Sequence, residues 1–164
     1  MPKSGRFAAS FLSVFIAASA VAAELPDFTE PARLRSLFPN AARLRMVNVW
    51  ATWCVPCVAE MPDLQSIDHA FGPELAIVGI SMDDAVPGIE KSRVTGFLDK
   101  QKIVFPNVYY KGTPEKLGEH LDFSGEIPVT IIFDRKGEEL WRHQGRIDKK
   151  ETIAKIRELL RRNR

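Results

Sequence analysis

The chain of 164 residues holds two cysteines, Cys54 and Cys57, three apart within Trp53-Cys54-Val55-Pro56-Cys57. The run Met46 to Trp50 before them is apolar except for Asn48, as expected of a strand buried on both faces of a sheet. After them Val58, Met61, Leu64 and Ile67 recur at helical spacing, with Glu60, Asp63 and Asp68 between, until Gly72-Pro73 ends the pattern. The motif therefore occupies a strand-to-helix junction. Thiols at i and i+3 on a first helical turn can close a disulfide with little movement, and the helix N-terminus stabilises a thiolate on the first of them. The chain is thus held to folds in which a buried strand delivers a redox-active dithiol to a helix start.

Other uses of the pair fit less well. A structural zinc site needs about four ligands, and neither a second cysteine pair nor a closely spaced histidine pair completes one. A static bridge over so short a loop removes little entropy from the unfolded chain, so stability alone is a poor reason for it.

The N-terminus carries Lys3 and Arg6, an apolar run from Phe7 to Val21, and small residues ending Val21-Ala22-Ala23 before Glu24. Residues 1–23 read as a secretory signal peptide, with an uncleaved anchor as the alternative. The apolar run is shorter than the roughly 20 residues of a membrane span, and no cysteine follows it to carry a lipid. Export places the dithiol where disulfides persist. Residues 24–164, about 140, suit one domain with a substantial core. Lys3 and Arg6 account for the formal charge of +2, so the remainder holds 21 basic and 21 acidic side chains. That balance argues against nucleic acid or an anionic membrane as the main partner. The Arg161-Arg162-Asn163-Arg164 tail reads as a helix C-terminus favoured by the macrodipole.

Further along, Leu75 to Ser81 predicts a second buried strand, Ile89 to Lys100 an amphipathic helix and Asn107 to Tyr110 a short strand. Thr113 can cap a helix whose first residue is Pro114. Val129 to Phe133 and Glu138 to His143 form a hairpin about the turn Asp134-Arg135-Lys136-Gly137. A last helix starts near Asp148, with Glu151 three residues on, and buries Ile153, Ile156, Leu159 and Leu160. Strands alternating with helices and closed by one hairpin describe an α/β fold with a central mixed β-sheet flanked by helices.

The stretch Val47 to Pro62, with Gly125-Glu126-Ile127-Pro128-Val129-Thr130, resembles the TlpA/ResA-type thioredoxin-like family of exported thiol-disulfide oxidoreductases over roughly residues 45–160. The resemblance implies a thioredoxin-like fold, with Cys54 as the exposed nucleophile and Cys57 as the thiol that resolves the mixed disulfide. It implies a cis bond before Pro128, a proline speciality, with Trp53, Pro56, Ile127 and Pro128 bordering an extended substrate segment. Thioredoxins place a buried aspartate six residues before the first cysteine. Asn48 stands there and cannot titrate. Glu60, one turn beyond Cys57, matches the family's alternative acid and could take the Cys57 proton if burial raises its pKa; otherwise it is a solvated helix residue. Pro26-Asp27-Phe28 matches the first strand of the family's N-terminal hairpin, but the Asp-Gly turn is missing, and Glu30 to Arg45 reads as helix or loop.

The function expected on this basis is a periplasmic dithiol reductant of protein disulfides, of the cytochrome c maturation or copper-site assembly kind, recharged by an upstream membrane thiol reductant. The expected cofactor is none beyond the Cys54–Cys57 disulfide, and the expected state is a monomer. The alternative is a Cu(I)-handling metallochaperone, since two thiolates suit a soft ion and Met61 lies one turn beyond Cys57, although helix-periodic methionine is usually core filler. His69, His120 and His143 form no ligand pair in sequence. A peroxidase is a weaker third reading, because the family's peroxide-reducing relatives place their cysteine differently.

Overall fold

The computed structural model describes residues 25–163; the segment read as a signal peptide, 1–23, lies outside them. The described chain runs β1 (Asp27–Phe28), a 3-10 helix (Pro31–Leu37), β2 (Leu44–Trp50), α1 (Val55–Phe71), β3 (Leu75–Ser81), α2 (Lys91–Gln101), β4 (Asn107–Tyr110), α3 (Pro114–Leu121), β5 (Val129–Asp134), β6 (Glu139–Gln144) and α4 (Lys149–Arg162). One six-stranded sheet has the order β1-β4-β3-β2-β5-β6. The first four are mutually parallel, joined through helical crossovers, while β5 runs antiparallel to β2 and β6 antiparallel to β5. Parallel neighbours need such crossovers, which is why helices alternate with strands in the sequence. The sheet is mixed, as the sequence predicts.

β2 is the spine. All seven of its residues are buried, because it pairs with β3 on one side and β5 on the other and is covered on both faces. Its partner β3 needs Gly79: a Cβ there would overlap the Asn107 side chain. Asn107 is placed by accepting a hydrogen bond from Trp50 Nε1 (3.0 Å) and donating to the Phe105 carbonyl (3.0 Å). The strand end that leads into the cysteines is thereby tied to β4. α1 and α4 pack together, with Met61, Leu64 and Ile67 from one and Ile156 from the other fully buried. Asp148 caps α4, its carboxylate accepting from the Glu151 N–H at 2.9 Å, as the spacing suggests.

The N-terminal edge departs from the family pattern. Asp27–Phe28 does not form a hairpin with the first core strand; it adds to the sheet edge, parallel to Tyr109–Tyr110 of β4. With no tight-turn sequence, Pro31 instead starts the 3-10 helix, which buries Leu34 while Phe38 is buried just beyond it. Arg35 donates from Nη1 and Nη2 to the carbonyls of Lys136 and Arg135, both at 2.8 Å, and fixes this helix to the β5–β6 turn. Leu44 and Arg45 already belong to β2, so the stretch read as helix or loop ends two residues early. Among the described residues no helix is long and apolar enough to cross a membrane.

Candidate functional site

β2 ends at Trp50, and residues 51–54 turn the chain into α1, whose N-cap is Cys54. Cys54 and Cys57 are joined in a disulfide, with Cα atoms 5.2 Å apart. Cys54 Sγ accepts a hydrogen bond from the Cys57 N–H at 3.3 Å, so the sulfur occupies the position that a capping oxygen normally fills. A negative charge on this sulfur in the reduced protein would meet an amide N–H and the positive end of a helix of 17 residues. Cys57, inside the first turn, is fully buried; Cys54 retains 6% exposure. The residue named by the resemblance as the attacking one is thus the less deeply buried of the two.

The residues that flank Cys54 in the chain are apolar and exposed. Trp53 is 43% exposed and Val55 80%, with Pro56 beside them exposed as well. The peptide bond Ile127–Pro128 is cis. The Ile127 carbonyl oxygen lies 3.6 Å from Cys54 Sγ, which brings this segment onto the disulfide from across the sheet. Pro128 itself is buried, its carbonyl accepting from the Gly145 N–H (2.8 Å), and Ile127 is half-buried. The Ile127 carbonyl is therefore brought to the Cys54 sulfur, which Trp53 and Pro56 flank in the chain, although Cys54 and Ile127 are 73 positions apart.

Glu60 lies one turn beyond Cys57 on the buried face of α1, and it is fully inaccessible. It is no solvated helix glutamate. Its Oε1 accepts from Asn48 Nδ2 at 2.8 Å and its Oε2 from the Ile147 N–H at 2.9 Å. Burial raises its pKa above the ordinary glutamate value; the two hydrogen bonds and the more distant His143 and Arg146 oppose the shift without cancelling it. Asn48 Nδ2 also donates to Thr130 Oγ1 (3.0 Å), which leaves Asn48 Oδ1 buried with no partner among the described residues. An amide turned by half a rotation would offer that oxygen to a protonated Glu60, while Thr130 can donate as well as accept. Asn48 cannot titrate, but it can solvate both protonation states of the carboxyl.

Asp83 is a residue that sequence reasoning missed. It is fully buried, just beyond β3, and carries no salt bridge among the described residues. Its carboxylate accepts from the Thr52 N–H (3.0 Å), the Thr52 hydroxyl and Ser81 Oγ (2.8 Å). Thr52 lies two residues before Cys54, so Asp83 pins the turn that presents the cysteine. The sequence signal is weak: an acid just past a strand end, with a partner 31 positions upstream. Asp83→Ala should destabilise the fold by about 2–6 kcal/mol, since it strands the Thr52 N–H and Ser81 hydroxyl at about 1–3 kcal/mol each. Urea unfolding checks this, and a loss under about 1 kcal/mol would remove the pinning role.

The three histidines lie on α1, α3 and β6. His69 bonds Gln65 (2.9 Å), and His143 bonds the Arg146 carbonyl (3.1 Å) while stacking on Trp141. Met61 is fully buried in the core.

The AhpC/TSA family model matches residues 16–139. The sequence is 32% identical over 139 residues to the thioredoxin-like protein YneN of Bacillus subtilis, covering 81% of this chain and 76% of that one. It is 28% identical over 151 residues to the thiol:disulfide interchange protein DsbE of Vibrio cholerae, covering 89% and 76%. Among solved structures, a thioredoxin-related protein from Neisseria meningitidis serogroup B matches with a TM-score of 0.60 and 26% identity over 71% of this chain and 84% of that chain.

Proposed function

The chain belongs to the AhpC/TSA family as a thioredoxin-like thiol-disulfide oxidoreductase, and from that premise we propose that it acts outside the cytoplasm as a dithiol reductant of protein disulfides. The observation that carries the reading is the pairing of an apolar, exposed rim about Cys54 with a buried carboxyl one turn beyond Cys57. The rim suits a segment of another protein, and the carboxyl suits proton removal from the second thiol.

In the proposed reaction the Cys54 thiolate attacks one sulfur of a substrate disulfide. A mixed disulfide forms and the first substrate sulfur leaves as a thiolate. Cys57 passes its proton to the Glu60 carboxylate and attacks Cys54 Sγ, releasing the second substrate sulfur. Two electrons have then moved from the dithiol to the substrate, and the protein is left with the Cys54–Cys57 disulfide. An upstream membrane thiol reductant would restore the dithiol. Apocytochrome thiols and copper-site assembly proteins are the substrate classes that this chemistry would serve. Export rests on the reading of residues 1–23.

The direction of electron flow is tested by equilibrating the protein with glutathione buffers. A reductant should show a reduction potential nearer thioredoxin's value of about −270 mV than the roughly −120 mV of a strong oxidant. A value near the latter would make it an oxidant. The Cu(I) reading is tested by titrating copper into the reduced protein; tight, stoichiometric binding would favour it, although Met61 is packed as core filler.

A further inference from the structure

A second site lies at the other end of β2. A cavity of about 340 Å³ opens between the 3-10 helix, the end of α3 and the β5–β6 hairpin, lined in part by Leu34, Arg35, Phe38, Arg45, Leu121 and Phe133. Arg45 stands in β2 five residues before Trp50, so at about 3.3 Å per residue it is roughly 16 Å from the strand end that leads to the cysteines. Its cavity is separate from the redox site.

Arg45 is the anomaly. It is 5% exposed, yet among the described residues no carboxylate lies within ion-pair distance of it or of Arg35. Its Nη1 reaches only the Arg135 carbonyl at 3.3 Å, a carbonyl already taken by Arg35, and its Nε is buried with no partner. The acid whose charge acts on it, Asp134, accepts at Oδ1 from the N–H groups of Lys136 (2.8 Å) and Glu138 (2.9 Å) and makes no ion pair with it. Burial, and the like charges of Arg35 and Arg135, push the Arg45 pKa down. A buried guanidinium with no ion-pair partner is costly, by several kcal/mol per unpaired ion. The other arginine on the cavity wall, Arg142, is by contrast fully used: Glu139 pairs with it at 2.6 Å and the Leu121 carbonyl accepts from it at 2.7 Å.

We propose that this cavity binds a small organic carboxylate, whose charge meets the Arg45 guanidinium on the cavity wall with Arg35 at its side, and whose apolar body lies against Leu34, Phe38, Leu121 and Phe133. A guanidinium edge matches a carboxylate in geometry and charge. Phosphate would bring more charge close to the Asp122 and Glu139 carboxylates, which also line the wall, and would leave Leu34, Phe38, Leu121 and Phe133 uncovered. The volume, at the small end of ligand pockets of about 300–1,000 Å³, limits the ligand to a compact acid.

The test titrates the full chain with benzoate, benzamide and inorganic phosphate, following the Arg45 Nε–H resonance and the melting temperature. Benzoate should bind saturably and raise Tm, whereas benzamide, the same shape without the charge, should do neither. Arg45→Met should weaken benzoate binding at least about tenfold, equivalent to the roughly 1.4 kcal/mol that a lost charge-assisted contact readily exceeds. The unliganded Arg45→Met protein should melt above the parent, because the unpaired charge is gone. If that variant does not fold, Arg35→Met, altered at an exposed position, should still weaken benzoate severalfold. Equal binding of benzamide, phosphate binding as tight as benzoate, no saturable benzoate binding, or affinity retained in both variants would each overturn the proposal.

Discussion

Cys54→Ser should abolish thiol-disulfide exchange, whereas Cys57→Ser should leave a protein that attacks once and then stays attached to its partner. The asymmetry follows from the capping geometry. Cys54 Sγ accepts the Cys57 N–H and stands at the α1 N-terminus, in a residue that keeps some exposure, while Cys57 is fully buried. A thiolate is the attacking species, and a serine hydroxyl is not ionised at any working pH, so loss of the nucleophile should lower exchange at least about a thousandfold. In Cys57→Ser the mixed disulfide has no intramolecular exit, so partners should accumulate as adducts on Cys54 that a reducing gel dissolves. Alkylation of the reduced parent should label Cys54 first, with an apparent pKa below the free-thiol value of about 8.5. Labelling of Cys57 first would reverse the roles. A few specific adducts would support a dedicated reductant; a ladder of unrelated envelope proteins would instead indicate a general oxidant or isomerase.

What the sequence disclosed, it disclosed through local regularity. β2 and β3 are continuous apolar runs because both their faces are covered, and α4 carries its cap and its apolar stripe in plain spacing. The Cys54–Cys57 pair is legible because the chemistry lies within one helical turn. The segments that escaped prediction lack such regularity. A two-residue edge strand and a 3-10 helix have no period to detect, so the way Asp27–Phe28 joins β4 depends on Tyr109 and Tyr110, far downstream in the chain. Arg45 closes a stretch that reads as helix or loop, and only the neighbours of β2 on both sides make it a buried cation. Asp83 is silent for the same reason, since its importance lies in Thr52 across the sheet edge. Glu60 was visible only through the family resemblance. Its helical spacing gives no hint that Asn48 and Ile147 enclose it.

That enclosure sets the second large effect. Glu60→Gln should flatten the pH dependence of exchange near neutrality and lower the rate of the resolving step by the order of a hundredfold, the lower end of what a positioned general base contributes. The fold should survive. The substituted amide can accept from the Ile147 N–H with its oxygen, and Asn48, turned so that its unpartnered Oδ1 faces the new NH2 group, can accept in place of donating. Stability should respond in a definite direction. Burial raises the Glu60 pKa, so the folded state holds a proton that the unfolded state releases near the ordinary glutamate value of about 4.3. Its contribution is fully present below that value and is lost as pH rises through the folded pKa. The glutamine variant has no such loss. The difference in unfolding free energy between variant and parent should therefore shift in favour of the variant as pH rises from about 4 and level off above the folded pKa. Exchange rates with a small disulfide from about pH 5 to 9, together with urea unfolding at matched pH, separate a proton acceptor from a structural carboxyl. If only the stability curve moved, Glu60 would be a buried structural acid and the Cys57 proton would need another route, with Asn48 unable to supply it.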